Sequence, residues 1–214
     1  MKKLRILSLS DVIVSKVHSA EIRDLYGDVD LVIGCGDLPY YYLEYVVDKL
    51  KKPVFFVRGN HASPIEYSHK GNRKFPRGAL DLHRHVINHN GLLIAGFEGS
   101  IRYSRAKYQY TQGEMWEFVI RLVPILIWNQ LRYGRALDIL VAHSPLWGFN
   151  DRSDPAHRGF RALSWLVRTF KPRYFFHGHI HVSKNDPRTS VYKETYVINS
   201  TGAVVTDVEL NEKS

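Results

Sequence analysis

Five short apolar runs, each closed by side chains of the kind that bind metals, constrain this chain more than any other feature. Leu4 to Leu9 leads into Ser10-Asp11, Val29 to Ile33 into Gly36-Asp37, and Val54 to Val57 into Gly59-Asn60-His61. Leu137 to Val141 leads into Ala142-His143, and Tyr174 to Phe176 into Gly178-His179-Ile180-His181. The runs are rich in β-branched and aromatic residues, as buried strands are. In open α/β sheets ligands bind outside the carboxyl ends of the strands, where all five polar clusters fall. Three carboxylate or amide oxygens and three imidazoles are therefore expected to meet in one crevice.

The length of 214 residues predicts one domain, 1–214, able to bury its apolar surface without disulfides. Cys35 has no partner for an internal disulfide and, between Gly34 and Gly36, reads as a small buried residue beside the crevice. With no cysteine pair, and with Met1-Lys2-Lys3 leading straight into an alternating strand, the expected location is cytoplasmic. The formal charge of +9, from 30 Lys and Arg against 21 Asp and Glu, favours anionic partners. Those cations are scattered, with no run of like charge and no nucleic-acid module, so nucleic acid is expected only as a substrate.

Strand and helix alternate through the first part: helix from about His18 to Tyr26, strand to Ile33, helix from about Tyr40 to Leu50, strand to Val57. This βαβαβ pattern implies parallel strands. Residues 63–77 are polar, with little periodicity, and are expected to form a flap beside Asn60 and His61. Asn90-Gly91, inside 85–97, predicts a hairpin and so a mixed sheet. Thr111 to Tyr133 predicts a helix kinked or broken at Pro124, and Gly159 to Phe170 another. The tail is expected to pair 190–199 with 203–210 as a closing hairpin.

Phe118 to Trp128 is the most apolar stretch, yet it is far short of the roughly 20 residues that span a bilayer. A helix apolar on all sides must be covered. The expectation is a core or lid helix, or a homo-oligomer contact through residues 114–133.

Taken singly, Asp11 and Asp37 have the ordinary roles of helix caps or loop residues, and His143 that of a hydrogen-bonded core histidine. Their recurrence at one end of successive strands argues otherwise, with glycines letting backbone approach closely. The series Asp11, Gly36-Asp37, Gly59-Asn60-His61, His143 and Gly178-His179-Ile180-His181, spread in this order over nearly the whole chain, resembles the calcineurin-like metallophosphoesterase family. The resemblance implies an α/β fold, a four-layer α/β/β/α sandwich of two mixed sheets flanked by helices, with two divalent metals at the strand ends. By motif, Asp37 would bridge the metals, Asp11 and His181 would complete the first site, and Asn60, His143 and His179 the second. A hydroxide held by the metals would attack phosphorus in line, and His61 would give a proton to the departing alkoxide. Oxygen and imidazole donors without thiolate suit manganese, iron, zinc or nickel.

Two departures from the family pattern stand out. The first motif is usually Asp-x-His, whereas here Asp11-Val12-Ile13 removes an imidazole. His18, from the next helix start, is the candidate replacement, although the expected outcome is water in that place and a weaker first metal. Ala62 stands where an acidic residue commonly follows the Gly-Asn-His motif, leaving Glu66 or Glu44 to support His61. Tyr40, Tyr41 and Tyr42 with Arg58, Arg102, Arg105 and Lys107 are candidates to read an aromatic phosphate ester, but the tyrosines also open a helix whose Leu43, Val46, Val47 and Leu50 are apolar. The expected activity is that of a metal-dependent phosphoesterase on a small phosphate ester, with a diester preferred. The rivals are a scaffold of the same fold that has lost catalysis and acts through protein partners, and a nuclease.

Overall fold

The computed structural model describes residues 2–69, 71–183 and 186–210. Strand β1 (Lys2–Ser10) passes through helix α1 (Ile22–Tyr26) to β2 (Leu31–Gly34), and helix α2 (Tyr40–Leu50) connects β2 to β3 (Val54–Phe56). These strands are parallel, as right-handed βαβ crossovers require. Helix α1 starts later than the expected His18 because Val17 and His18 both donate to Val14 O in a tight turn ahead of it. Strand β4 (Ala79–Asp81) follows the 63–77 loop and adds to β3. That loop is pinned to the body: Glu66 and Arg73 exchange backbone hydrogen bonds, and Arg73 Nε meets the Glu44 carboxylate at 2.7 Å.

Strands β5 (Val86–His89) and β6 (Leu92–Phe97) form the antiparallel hairpin that Asn90-Gly91 predicts. Both turn residues adopt positive φ, 51° and 86°, which matches a two-residue hairpin turn. Strands β7 (Ser100–Ile101) and β8 (Gln109–Tyr110) form a separate two-stranded parallel sheet. Helix α3 (Gln112–Tyr133) begins in a capping box, where Thr111 accepts from Glu114 N–H at 3.2 Å and Glu114 accepts from Thr111 N–H at 2.7 Å. It runs through Pro124 without a break, because Met115 and Val119 before the proline and Leu122 and Leu126 around it form one buried stripe. Strand β9 (Ile139–Ala142), helix α4 (Arg161–Phe170) and strand β10 (Tyr174–His177) follow.

The tail departs from expectation. Strands β11 (Thr189–Tyr192) and β12 (Thr195–Asn199) are themselves the hairpin, and β12 lies parallel to β10. Strand β13 (Gly202–Leu210) does not fold back on β12; it crosses to the other sheet and pairs antiparallel with all of β1, from Ser10↔Gly202 to Lys2↔Leu210. The long edge of β1 offers nine residues of ladder, more than the five-residue β12 could supply.

One sheet has the order β13-β1-β2-β3-β4 and the other β11-β12-β10-β9-β6-β5. Successive residues of a strand point to opposite faces, so each strand feeds two cores. Ile6, Ile33 and Phe55 face Ile94, Val141 and Phe176 between the sheets. Their neighbours Leu7, Val32 and Phe56 turn outward onto Leu43 and Val46 of α2. Leu93, Leu140 and Phe175 turn outward onto Val119 of α3 and Leu163 of α4. The result is a mixed α/β fold with two sheets face to face and helices outside. Helix α3 belongs to this outer layer and is not a roof over the crevice; its far side leaves Ile120, Ile127, Trp128 and Leu131 exposed. Among the described residues no helix is long and apolar enough to cross a membrane.

Candidate metal centre

The chain turns sharply as it leaves the strands that carry the polar clusters. Asp11, Asp37 and His179 all have left-handed backbone, with φ of 63°, 52° and 67°. Each such non-glycine residue costs on the order of 1–3 kcal/mol and persists only where surrounding contacts fix it, a pattern that marks working sites. Two glycines permit the close approach. A Cβ on Gly59 would collide with the Asp37 carboxylate, and one on Gly178 with the Ser10 hydroxyl.

Asp37, His143 and His179 bring their donor atoms within 4.8 Å of one another. Asp37 Oδ2 lies 3.2 Å from His143 Nε2, and Asn60 Oδ1 lies 2.9 Å from the same nitrogen. Asn60 donates its amide N–H to the Tyr103 hydroxyl at 3.0 Å, which fixes the oxygen toward His143. On the other ring nitrogen, His143 Nδ1 faces the Cys35 carbonyl at 2.8 Å, so the neutral ring carries its hydrogen there. His179 Nε2 similarly faces the Ala156 carbonyl at 2.8 Å, leaving Nδ1 as its lone-pair nitrogen. Carbonyl acceptors behind both imidazoles are the usual supports of metal-ligating histidines.

The electrostatics fit a cation. Burial pulls the His143 pKa down, but the Asp37 carboxylate more than reverses this and holds it at about 9. The neutral ring would turn its Nε2 lone pair toward two oxygens, a repulsion that either a proton or a metal ion relieves. Asp37 is held below the usual carboxylate range: burial raises it, while His143 and the His61 backbone N–H lower it further. His179 is pushed down to about 3, chiefly by burial and then by His143, and is therefore neutral and able to ligate. The Asp11 carboxylate is only 3 % exposed, accepts from His179 N–H at 3.1 Å and from the Thr201 hydroxyl at 3.4 Å, and has His181 Nε2 at 3.9 Å. A buried carboxylate in that setting calls for a cation, which a divalent metal would supply.

The remaining candidates are less gathered. His181 sits at the mouth, with its side chain 66 % exposed. The His61 backbone N–H donates to Asp37 Oδ1 at 2.7 Å while the residue itself is exposed. Ile13 is 44 % exposed and adds no donor. His18 does not replace it: its ring packs on Tyr45, with centroids 4.4 Å apart. Glu66 accepts from Tyr40 N–H, and Glu44 holds Arg73, so these carboxylates cap and brace α2 and its loop instead of supporting His61. Tyr40 and Tyr42 are buried, and Arg58 is locked between Asp81 and Glu98. Burial pushes the Cys35 thiol up to about 12, so it is neutral at physiological pH and no thiolate nucleophile. Tyr103, the Ala156 carbonyl and His157, whose ring lies 5.1 Å from His179, were not among the sequence candidates. The turn residues Asp154-Pro155 give the only local signal for that loop.

Metal titration is expected to show two unequal affinities, because the group around Asp37, Asn60, His143 and His179 is compact while Asp11 and His181 are joined by no third imidazole. Introducing Ile13→His should narrow the gap by about tenfold or more, the scale of effects around a metal ligand. A folded Ile13→His protein that takes up metal as the wild type does would show that position 13 faces elsewhere.

Solved structures share the fold. One crystal structure superposes with a TM-score of 0.65 at 15% identity, covering 96% of this chain and 95% of that one. TT1561 of Thermus thermophilus superposes with a TM-score of 0.64 at 13% identity, covering 94% of this chain and 90% of that chain. Vps29 of Entamoeba histolytica reaches only 0.43 at 15% identity, over 98% of this chain and 87% of that one. Comparison with curated proteins gave no match. A family model described as calcineurin-like phosphoesterase matches residues 4–183, and the chain belongs to that family.

Proposed function

We propose that this protein is a metal-dependent phosphodiesterase whose centre holds two divalent cations. The observation that carries the reading is the meeting of Asp37, His143 and His179 within 4.8 Å, with both imidazoles oriented by backbone carbonyls. Asp11, Asp37 and His181 would hold one ion and Asp37, Asn60, His143 and His179 the other. Bound there, the cations would supply Lewis acidity to phosphoryl oxygens and a nucleophile at neutral pH. Manganese, iron, zinc and nickel all suit this donor set.

The protein's own groups would do the rest. Cys35 O and Ala156 O hold Nδ1 of His143 and Nε2 of His179, so both imidazoles are aimed in advance and little reorganisation would be needed when substrate arrives. Asp37 ties the site to the His61 loop through the His61 backbone N–H, and an exposed imidazole there would lie within reach of a substrate at the metals. From there His61 would protonate the departing oxygen, a step that matters for alkyl leaving groups. A retired scaffold would be expected to have lost several donors, whereas Ile13 is the single clear loss.

Elemental analysis of the purified protein, combined with hydrolysis of bis-p-nitrophenyl phosphate and p-nitrophenyl phosphate across added manganese, nickel, zinc and iron, tests the reading. Metal-dependent turnover that favours the diester is expected. Bound metal without turnover of either ester would point to a scaffold.

A further inference from the structure

A cavity of about 440 Å³ opens between two loops, each of which touches the candidate metal centre. One wall contains Arg102, which is followed by Tyr103, the acceptor of the Asn60 amide. The other contains Ser153 and Pro155, and the next residue, Ala156, accepts the His179 ring N–H. The cavity thus shares both of its loops with the centre, and its volume suits a small ligand or part of one.

Its charge is one-sided. Arg102, Arg158 and Arg161 line it, and no carboxylate does among the described residues. Arg102 is partly engaged, by Glu114 at 2.9 Å and the Gln109 carbonyl at 3.3 Å. Arg158 gives two N–H groups to the Ser153 carbonyl. The Arg161 guanidinium lies 4.3 Å over the Trp147 ring and has no hydrogen-bond or ion-pair partner among the described residues. Arg158 lies over the same ring at 5.1 Å. Stacking on an indole orients a guanidinium while leaving its N–H edge free for the paired hydrogen bonds that phosphate accepts.

We propose that this cavity is a subsite for a second phosphate group of the substrate, held by Arg158 and Arg161 while the first phosphate lies at the metals. The inference rests on the phosphoesterase reading and narrows it to small phosphodiesters that carry a further phosphate. A second phosphate is divalent near neutral pH, and the Arg161 guanidinium, without a hydrogen-bond partner among the described residues, beside Arg158, which is held only by a neutral carbonyl, matches that charge. Two sources share this chemistry, a diphosphate chain and a bisphosphorylated sugar, and they differ in phosphate spacing.

The test is calorimetric binding of thymidine 5′-monophosphate, thymidine 5′-diphosphate and thymidine 3′,5′-bisphosphate to the manganese-loaded protein, its Arg161→Gln variant and its Arg161→Lys variant. In wild type at least one two-phosphate probe should bind about tenfold or more tightly than the monophosphate, and the stronger of the two identifies the source. That ratio should fall to about one in Arg161→Gln and partly return in Arg161→Lys. Arg158→Gln should lower it as well, which guards against a single misfolded variant. An unchanged ratio in both glutamine variants, or no preference in wild type, would overturn the subsite. So would tight binding of a short oligothymidylate when neither nucleotide shows a preference. Release of nitrophenol from the p-nitrophenyl ester of thymidine 5′-monophosphate is read in parallel. Preference without release would retain the subsite and remove the phosphoesterase reading.

Discussion

His61→Ala should cut the rate on an alkyl phosphodiester by about 10²–10⁴-fold and the rate on a nitrophenyl diester far less. The difference lies in the leaving group: an alkoxide needs a proton as it departs, whereas p-nitrophenolate leaves without one. His61 follows Asn60 directly, its backbone is fixed by Asp37 at 2.7 Å, and its side chain is free of the buried group. The variant should therefore keep its metals, which elemental analysis would check. Equal losses on both esters at full metal occupancy would make His61 a phosphate binder and deny it the role of acid.

Asp37→Ala should have the widest consequences of any single change. Asp37 contacts both His143 and the His61 backbone, and it is the one carboxylate common to both proposed sites. Metal affinity should fall by more than about 100-fold, the upper range already reached when a supporting partner of a ligand is lost. A second readout is independent of activity. In the metal-free wild type His143 titrates at about 9 because Asp37 outweighs burial. With Asp37 gone, burial is opposed only by the Asp11 charge and the Cys35 carbonyl, and the pKa should fall, as nuclear magnetic resonance of the ring would show. The sign of the linkage follows. The wild-type His143–Asp37 pairing contributes stability fully below the unfolded histidine pKa of about 6.5, and this is lost as pH rises through about 9. Metal must displace the same proton, so its apparent affinity in wild type should rise by up to about tenfold per pH unit between those values. An alanine variant with wild-type metal content would end the assignment of Asp37 to the centre.

The strands are easy to find because many are buried on both faces. Phe55 and Phe56 face different cores, as do Phe175 and Phe176, so their runs are continuously apolar and stand out in the sequence. Asn90-Gly91 announces its hairpin through local turn chemistry, which needs no knowledge of the rest of the chain. The destination of β13 is hidden for the opposite reason. Residues 200–202 resemble a turn, but whether the next strand returns to β12 or crosses to β1 depends on which edge is free, a non-local fact. The side-chain donors Asp37, His143 and His179 are legible because residue type carries their chemistry. The Ala156 carbonyl that orients His179 is not, since any residue offers a carbonyl and only the fold decides where it points. Trp147, Arg158 and Arg161 give no signal because an indole and two cations spread over fifteen positions form no sequence pattern until the loops fold together.

Each sheet furnishes half of the compact donor group: Asp37 and Asn60 follow β2 and β3, and His143 and His179 follow β9 and β10. An ion held there would rivet the two layers at one rim. The gap it must span is set by the filling between the layers, by Ile33 and Phe55 from one side and Val141 and Phe176 from the other. Because such interiors are packed without slack, a methylene added or removed at Phe55 or Val141 would spread or pinch the donors. The preferred radius of such an ion would thus be gauged by apolar residues that never touch it.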